Sequence, residues 1–486
     1  MEVEKILVGN EEFEGKESFT ELNAHDNSVV GEVFKSNQEL IDLAGNKALA
    51  FFNNVKNGRS RLFKRIDLLY DIASAIERNS EKISVLTTKE NGRPIKLTQN
   101  DVKRTISIFK YTAEYGRIAM EGVFHEPDAF QYPPENSKRI VVTIKEPLGG
   151  ILAITPFNAP LAQFAFKVAP AILTGCPVIV KPSPFTSISS LLLGKIIRDC
   201  GIEDGALAVL PGDSETVNGI MDLNIIKLVT FTGSTKVGKE IASRASGMLK
   251  KVVLELGGSD PLLVLDDAKI SIAAHDAVAG RFSAAGQACN TTKRVFVDAK
   301  IKDKFEQELL REVSKIKVGD PANINTDMGP VISRNARTDL LNIVKDSIGH
   351  GAKLLNGGEE IKSPGNYMEP TVIVDNQKWL LGLDVELFGP VLPIYSFSDE
   401  NEAVDMINSS RYGLQASIYT EDIRRGYRLS RKIQSGAVII NESDRLRWDF
   451  YSFGGVKDSG IGRESVMDSV NNYLEKKVLS IRINGV

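Results

Sequence analysis

The run GGILAITPFNAPLAQFAFKVAPAILTGCPVIVKPSPF, from Gly149 to Phe185, decides the fold class. GILAI (Gly150 to Ile154) and PVIVK (Pro177 to Lys181) are short, β-rich and bounded by turn residues, and the interval between them holds one crossover helix. The alternation continues through ALAVL (Ala206 to Leu210), IKLVTF (Ile226 to Phe231) and VVLEL (Val252 to Leu256). Short strands alternating with helices make a parallel, doubly wound sheet whose ligands sit beyond the carboxyl ends of its strands. Chemistry is therefore expected at Asn158, Lys181, Gly233 and Glu255, each just past a run. Lys167 is the only charged residue between Gly149 and Val180, yet Pro156, Pro160, Pro170 and Pro177 interrupt that stretch before it reaches the roughly 20 apolar residues that cross a bilayer. It reads as buried core.

Upstream, Glu39 to Asn54, Arg61 to Glu81 and Val102 to Met120 carry helical apolar spacing and are expected to wrap the sheet. Pro127 to Ser137 is polar and turn-rich and leads into the alternating KRIVVTIKEP, which suggests an excursion from the first domain. A second alternating α/β region runs from beyond Gly258 to about Asn441, and KKVLSIRI ends the chain as a strand of the kind that often pairs with a neighbouring subunit. With 486 residues, at least two cores are expected.

Composition excludes several classes. At 42% hydrophobic and 25% charged the chain is neither disordered nor fibrous. The 60 basic and 63 acidic residues nearly cancel, without a basic block, so nucleic acid is not expected as a partner. Cys176, Cys200 and Cys289 are too few and too scattered for a disulfide framework or a zinc site, so no metal is expected and a reducing cytoplasm is the natural setting. The start, MEVEKILVGNEEFEGKE, lacks the regions of a signal peptide.

Four segments carry the candidate chemistry. In GQACNTTKRVFV (Gly286 to Val297) a cysteine sits among small and polar residues; Cys289 serves as a nucleophile if positive potential or backbone donors favour its thiolate, while taken alone it reads better as one more buried cysteine. In VVLELGGSDP the strand-end position partly desolvates Glu255, lifting it toward the range of a general base, although a solvated strand-end acid fits the same segment. In ITPFNAP, Asn158 lies between Pro156 and Pro160, placed to donate to an oxyanion or simply to make a turn. FTGSTKVGKE joins a strand to a helix whose first amides, with Ser234, would face a pyrophosphate; its GxxxxG spacing is not the common dinucleotide fingerprint.

In this order and at these separations the four segments resemble the aldehyde dehydrogenase superfamily, and VELFGPVLPI (Val385 to Ile394), YGLQASIYT (Tyr412 to Thr420) and FGGVKDSGIGRE (Phe453 to Glu464) extend the likeness over nearly the whole chain. The resemblance implies an α/β fold with a Rossmann-like doubly wound dinucleotide-binding domain (1–125 and 147–257), a second α/β catalytic domain (258–450) and a small β oligomerisation extension (126–146 and 466–486). It implies that Cys289 attacks an aldehyde, that Asn158 with the Cys289 amide holds the oxyanion, that Glu255 activates the deacylating water, and that Lys167 and Glu464 relay protons. NAD or NADP would be held by Lys181, Ser234, Glu386 and Phe388, with Thr155, Pro156, Phe157, Gly233, Leu256 and Gly257 lining the groove. Many NAD-preferring members place a Glu three residues beyond the lysine; here Ser183 is followed by Pro184, with no acid to repel a 2′-phosphate, which favours NADP. The implied assembly is a homodimer or homotetramer.

The loop NESDRLRWDFYSF (Asn441 to Phe453) matches the substrate mouth of the family and carries Arg445, Arg447 and Trp448. Two guanidinium groups there fit an anionic or hydroxylated small aldehyde (glyceraldehyde 3-phosphate, glyceraldehyde, lactaldehyde or succinate semialdehyde), or else form ion pairs with Asp444 and Asp449. Wording such as TTKRVFV is similar to the non-phosphorylating glyceraldehyde-3-phosphate and lactaldehyde dehydrogenase branch, although Ala288 stands where members acting on the phosphorylated triose commonly carry Arg. Two other readings compete: a CoA-acylating semialdehyde dehydrogenase, against which Glu255 argues, and a non-catalytic binding relative.

Overall fold

A computed structural model describes residues 3–483; the outermost residues of the expected terminal segments, 1–2 and 484–486, lie outside the described residues. The first sheet has eight strands, in the order Glu11–Phe13, Ile6–Val8, Leu207–Val209, Val178–Lys181, Gly150–Ile154, Ile226–Thr232, Lys251–Glu255, Gly460–Ile461. Its five central strands are parallel and its margins antiparallel. From Gly150–Ile154 the chain winds first to one side and then to the other, so the strand order reverses between Gly150–Ile154 and Ile226–Thr232. A crevice opens beyond the carboxyl ends at such a reversal.

The helix Pro160–Thr174 starts with Pro160, whose missing N–H is one the first turn does not use, and ends at Gly175 with φ +79°. All fifteen of its residues are buried, against the sheet on one side and the helices Leu62–Arg78 and Ile95–Ala119 on the other. The apolar stretch thus lies in the core of a folded domain, and among the described residues no helix is long and apolar enough to cross a membrane. The expected helix from Arg61 to Glu81 divides at Asn79, the shared end of Leu62–Arg78 and Ser80–Asn91.

The second sheet runs Lys353–Asn356, Thr371–Val374, Val391–Phe397, Thr292–Asp298, Asp260–Val264, Gln415–Tyr419, Ala437–Ile440, parallel except at its first strand, and has its own apolar core. A third sheet pairs Leu474–Arg482 with Arg139–Pro147 along nine residues and adds Val123–His125. The closing strand is therefore paired within its own chain. The edges of this extension differ from expectation: its first limb includes Val123–His125, and its second begins at Leu474, because Val466, Val470 and Tyr473 pack into the first core.

Candidate active site

Glu255 ends its strand 3% exposed, with no hydrogen bond to either carboxylate oxygen. Burial, reinforced by the charge of Glu464, holds it well above the usual carboxylate range, against the pull of Arg447, Lys167 and Arg463. Space for the carboxylate comes from Gly454, where a Cβ would fall 2.6 Å from Glu255 Oε1. Behind it, Lys167 Nζ lies 2.5 Å from Glu464 Oε1 and donates to Thr230 (3.2 Å) and Thr232 (3.0 Å), and both charged side chains are 1% exposed. Burial raises Glu464 too, but Lys167 and Arg447 outweigh it and leave this carboxyl below its ordinary value. Two buried acids with opposite shifts, in mutual electrostatic contact, are suited to passing a proton.

Cys289 follows a sharp turn in which Ala284, Ala285 and Gly286 take φ of +52°, +53° and +69°. Gln287 anchors the turn by accepting from Ile332 N (2.8 Å) and donating to Pro330 O (3.3 Å). Asn158, half-buried beyond Gly150–Ile154, donates its amide to the Gln287 carbonyl (2.9 Å), while its own carbonyl accepts from Arg93 Nη1 (2.7 Å). The nucleophile candidate and the oxyanion-donor candidate are thereby brought to one place. Burial pushes the Cys289 thiol up to about 11, although Lys293 and Arg447 pull the other way. The resting group is a protonated thiol, so attack requires a base.

The crevice at the strand reversal fits a dinucleotide. Lys181 is buried with no hydrogen bond or ion pair, and desolvation lowers it to about 8 despite Asp213. Thr155 Oγ1 is buried without a partner. Gly233 and Gly257 keep the backbone bare, since a Cβ at either would fall 2.5 Å from the Phe231 ring or 2.4 Å from the Glu386 carboxylate. Ser234 caps the thirteen-residue helix Thr235–Gly247, whose N-terminus faces the crevice as an anion site. Phe388 meets Phe157 edge-on at 6.0 Å, and Phe157 meets Phe185 at 5.8 Å. Pro184 introduces no carboxylate there. Among the described residues no group of His, Cys, Asp or Glu is placed to hold a metal.

The expected arginines part company. Arg447 is sandwiched between the Phe166 and Phe453 rings (4.4 and 3.9 Å) and faces Glu464 (3.5 Å) and Asp449 (3.8 Å). Among the described residues Arg445 is in no ion pair and its Nη1 is buried without a partner; burial and Arg93 lower it, and Asp444, Asp101 and Cys289 act the other way. Trp448 is 60% exposed. Sequence reasoning missed Arg93, which pairs with Asp101 (2.9 Å) and has a buried, unpartnered Nε. It also missed Lys293 and Arg281, two fully buried cations beside the Cys289 turn.

The model described as "Aldehyde dehydrogenase family" matches residues 12–479. Lactaldehyde dehydrogenase of Methanococcus vannielii is 36% identical over 423 residues, covering 86% of this chain and 88% of its own. Succinate-semialdehyde dehydrogenase, mitochondrial, of Arabidopsis thaliana is 34% identical over 424 residues, a match that covers 87% of this chain and 78% of its own. Among solved structures, an NAD-dependent aldehyde dehydrogenase from Sinorhizobium meliloti superposes with a TM-score of 0.94 at 29% identity, covering 100% of this chain and 96% of that one.

Proposed function

This chain belongs to the aldehyde dehydrogenase family, and from that membership we propose that it oxidises a small hydroxylated or anionic aldehyde to its carboxylate, with Cys289 as nucleophile and Glu255 as general base. The observation that carries the assignment is the buried, unpartnered Glu255 carboxylate within electrostatic reach of Cys289. Cys289 Sγ, its proton passed to solvent water, attacks the carbonyl carbon; a C–S bond forms and the carbonyl electron pair moves to oxygen, to which Asn158 Nδ2 and the Cys289 N–H donate hydrogen bonds. Bound NAD or NADP supplies the hydride acceptor. Glu255 then takes a proton from water, whose oxygen attacks the thioester, expelling the Cys289 thiolate and leaving the acid. The proton on Glu255 passes toward Glu464 and Lys167.

Lys181 with Ser183, and Pro184 in place of an acid, support NADP as the favoured cofactor with NAD also used. For the substrate's anionic end we assign Arg445, because its Nη1 is buried without a hydrogen-bond partner, although Asp444 lies within electrostatic reach, and a carboxylate or phosphate would supply that acceptor. Arg447 already faces the carboxylates of Glu464 and Asp449, although its Nε is buried without a hydrogen bond. Exposed Phe124, Val478 and Ile481 on the third sheet support a homodimer or homotetramer, and three free cysteines suit a reducing cytoplasm.

The test is initial NADPH and NADH formation with glyceraldehyde, lactaldehyde, succinate semialdehyde and glyceraldehyde 3-phosphate. One anionic or hydroxylated aldehyde is expected to dominate, giving free acid without CoA, and Cys289→Ser to be inactive. Turnover by folded Cys289→Ser, or acid release that depends on CoA, would refute the assignment.

A further inference from the structure

Lys293 lies four residues beyond Cys289, in the strand Thr292–Asp298, with its side chain 0% exposed. An ammonium stripped of water remains charged only where other dipoles or anions replace its hydration shell. Two carbonyls of the nucleophile's turn do so: Nζ donates to Ala288 O at 2.9 Å and to Cys289 O at 2.5 Å. The third partner is Glu386, 3.3 Å away, which also accepts from Gly258 N at 3.1 Å. One buried cation thus joins the Cys289 turn, the loop carrying Glu386 and Phe388, and the glycine pair that follows Glu255.

We propose that Lys293 is a positioning residue for the reaction: it fixes the backbone of the Cys289 turn and supplies the positive charge against which the thiolate forms. The proposal rests on Cys289 being the nucleophile. The charged groups facing the thiol come from four directions. Glu255 and Asp260 oppose its ionisation, Lys293 and Arg447 favour it, and Arg445 is also within electrostatic reach. Lys293 is the strongest of the favourable influences. Around Lys293 itself stand Glu386, Asp260 and Asp444; burial holds Asp260 well above its ordinary range and brings Asp444 to about 7, and Glu386, at 3.3 Å from Nζ, is the carboxylate within ion-pair distance. Arg281 reinforces the arrangement from the opposite side, reaching Thr291 Oγ1 (3.1 Å) and Leu387 O (2.5 Å), but it does not touch the Cys289 carbonyl.

The experiment measures the pH dependence of iodoacetamide alkylation of Cys289 in the full-length, cofactor-free protein, read by peptide mass spectrometry so that Cys176 and Cys200 do not contribute. Lys293→Gln is expected to move the midpoint upward by about one pH unit, slowing alkylation about 10-fold on the rising limb. Lys293→Arg, which keeps the charge, is expected to hold the midpoint near that of the unmodified protein. Should Lys293→Gln alone fold poorly because Glu386 loses its counter-charge, Lys293→Gln combined with Glu386→Gln removes both charges and carries the same expectation. A folded Gln variant with an unmoved midpoint overturns the proposal. That result is distinguishable from a wrong nucleophile, which would instead show as turnover surviving in Cys289→Ser.

Discussion

The two parallel sheets offer opposite ends to the site. From the first come Lys181 and Glu255, the last residues of their strands, and Asn158 and Gly233, which follow strand ends. From the second come residues that precede strands: Cys289 ahead of Thr292–Asp298, Glu386 and Phe388 ahead of Val391–Phe397, Gly258 ahead of Asp260–Val264. The first sheet thus contributes strand-end groups and a helix N-terminus, an arrangement suited to holding an extended ligand. The second contributes a turn with two alanines at positive φ, where non-glycine backbone is strained by roughly 1–2 kcal/mol per residue, stabilised by buried Lys293, Arg281 and Gln287. The first half brings most of the cofactor groove together with the proposed base and oxyanion donor, and the second brings the proposed nucleophile together with Glu386 and Phe388.

That division can be broken most severely at Cys289. Cys289→Ala is expected to lower turnover by about 10⁴-fold or more while leaving cofactor binding, mostly the work of the first sheet, intact; fluorescence titration with NADPH beside a rate assay checks both halves. Glu255→Gln comes next. Turnover should fall by about 10²- to 10⁴-fold, with a burst of about one reduced cofactor per site, because the thioester forms but water is no longer activated. The sign of the pH effect follows from the raised Glu255: turnover rises with pH as this acid ionises, and the Gln variant loses that limb. If Glu255→Gln abolished the burst as well, the base would belong to the first half-reaction and the division would blur.

Within the loop from Asn441 to Phe453 the contrast is sharper still. Arg445→Ala is expected to raise KM for an anionic aldehyde about 10- to 100-fold, the range of a charge-assisted hydrogen bond, with an unchanged denaturation midpoint. Arg447→Ala, which loses two ring contacts and one of the two cations beside each of Glu464 and Asp449, leaving them Lys167 and Arg104, should destabilise the fold by about 2–4 kcal/mol in a denaturant titration. Equal KM effects would mean that both arginines face substrate. The smallest effect is expected from Pro184→Glu, a shift of about 10-fold from NADP toward NAD in the ratio of kcat/KM values.

Local pattern carries the first sheet well. Strand runs such as GILAI and IKLVTF, and a helix framed by Pro160 and Gly175, announce themselves because hydrophobic period and cap residues agree. The break at Asn79 is not visible in the same way, since apolar spacing continues across it without proline or glycine. The rule that looks past carboxyl ends reaches Asn158 and Glu255 from pattern alone, whereas Cys289 and Glu386 lie on the other sheet's amino ends and stand out only through the likeness to known sequences. Arg93, within NGRP, reads as an ordinary loop residue; its significance comes from Asp101 and the Asn158 carbonyl, contacts that no spacing encodes. Lys293 and Arg281 are hidden for a related reason: a charge in a strand or at a helix end ordinarily signals solvent, and here each is enclosed by carbonyls brought from elsewhere in the chain.

The partnership of Lys167 with Glu464 spans 297 positions of sequence. During synthesis the cofactor sheet is nearly complete long before its last strand, Gly460–Ile461, and that counter-charge emerge from the ribosome. Until then a core ammonium has no carboxylate to answer it, and the Glu255 strand has an open edge. Both are completed by the same short segment, so the Lys167–Glu464 ion pair and the last strand of the first sheet are formed together, and late.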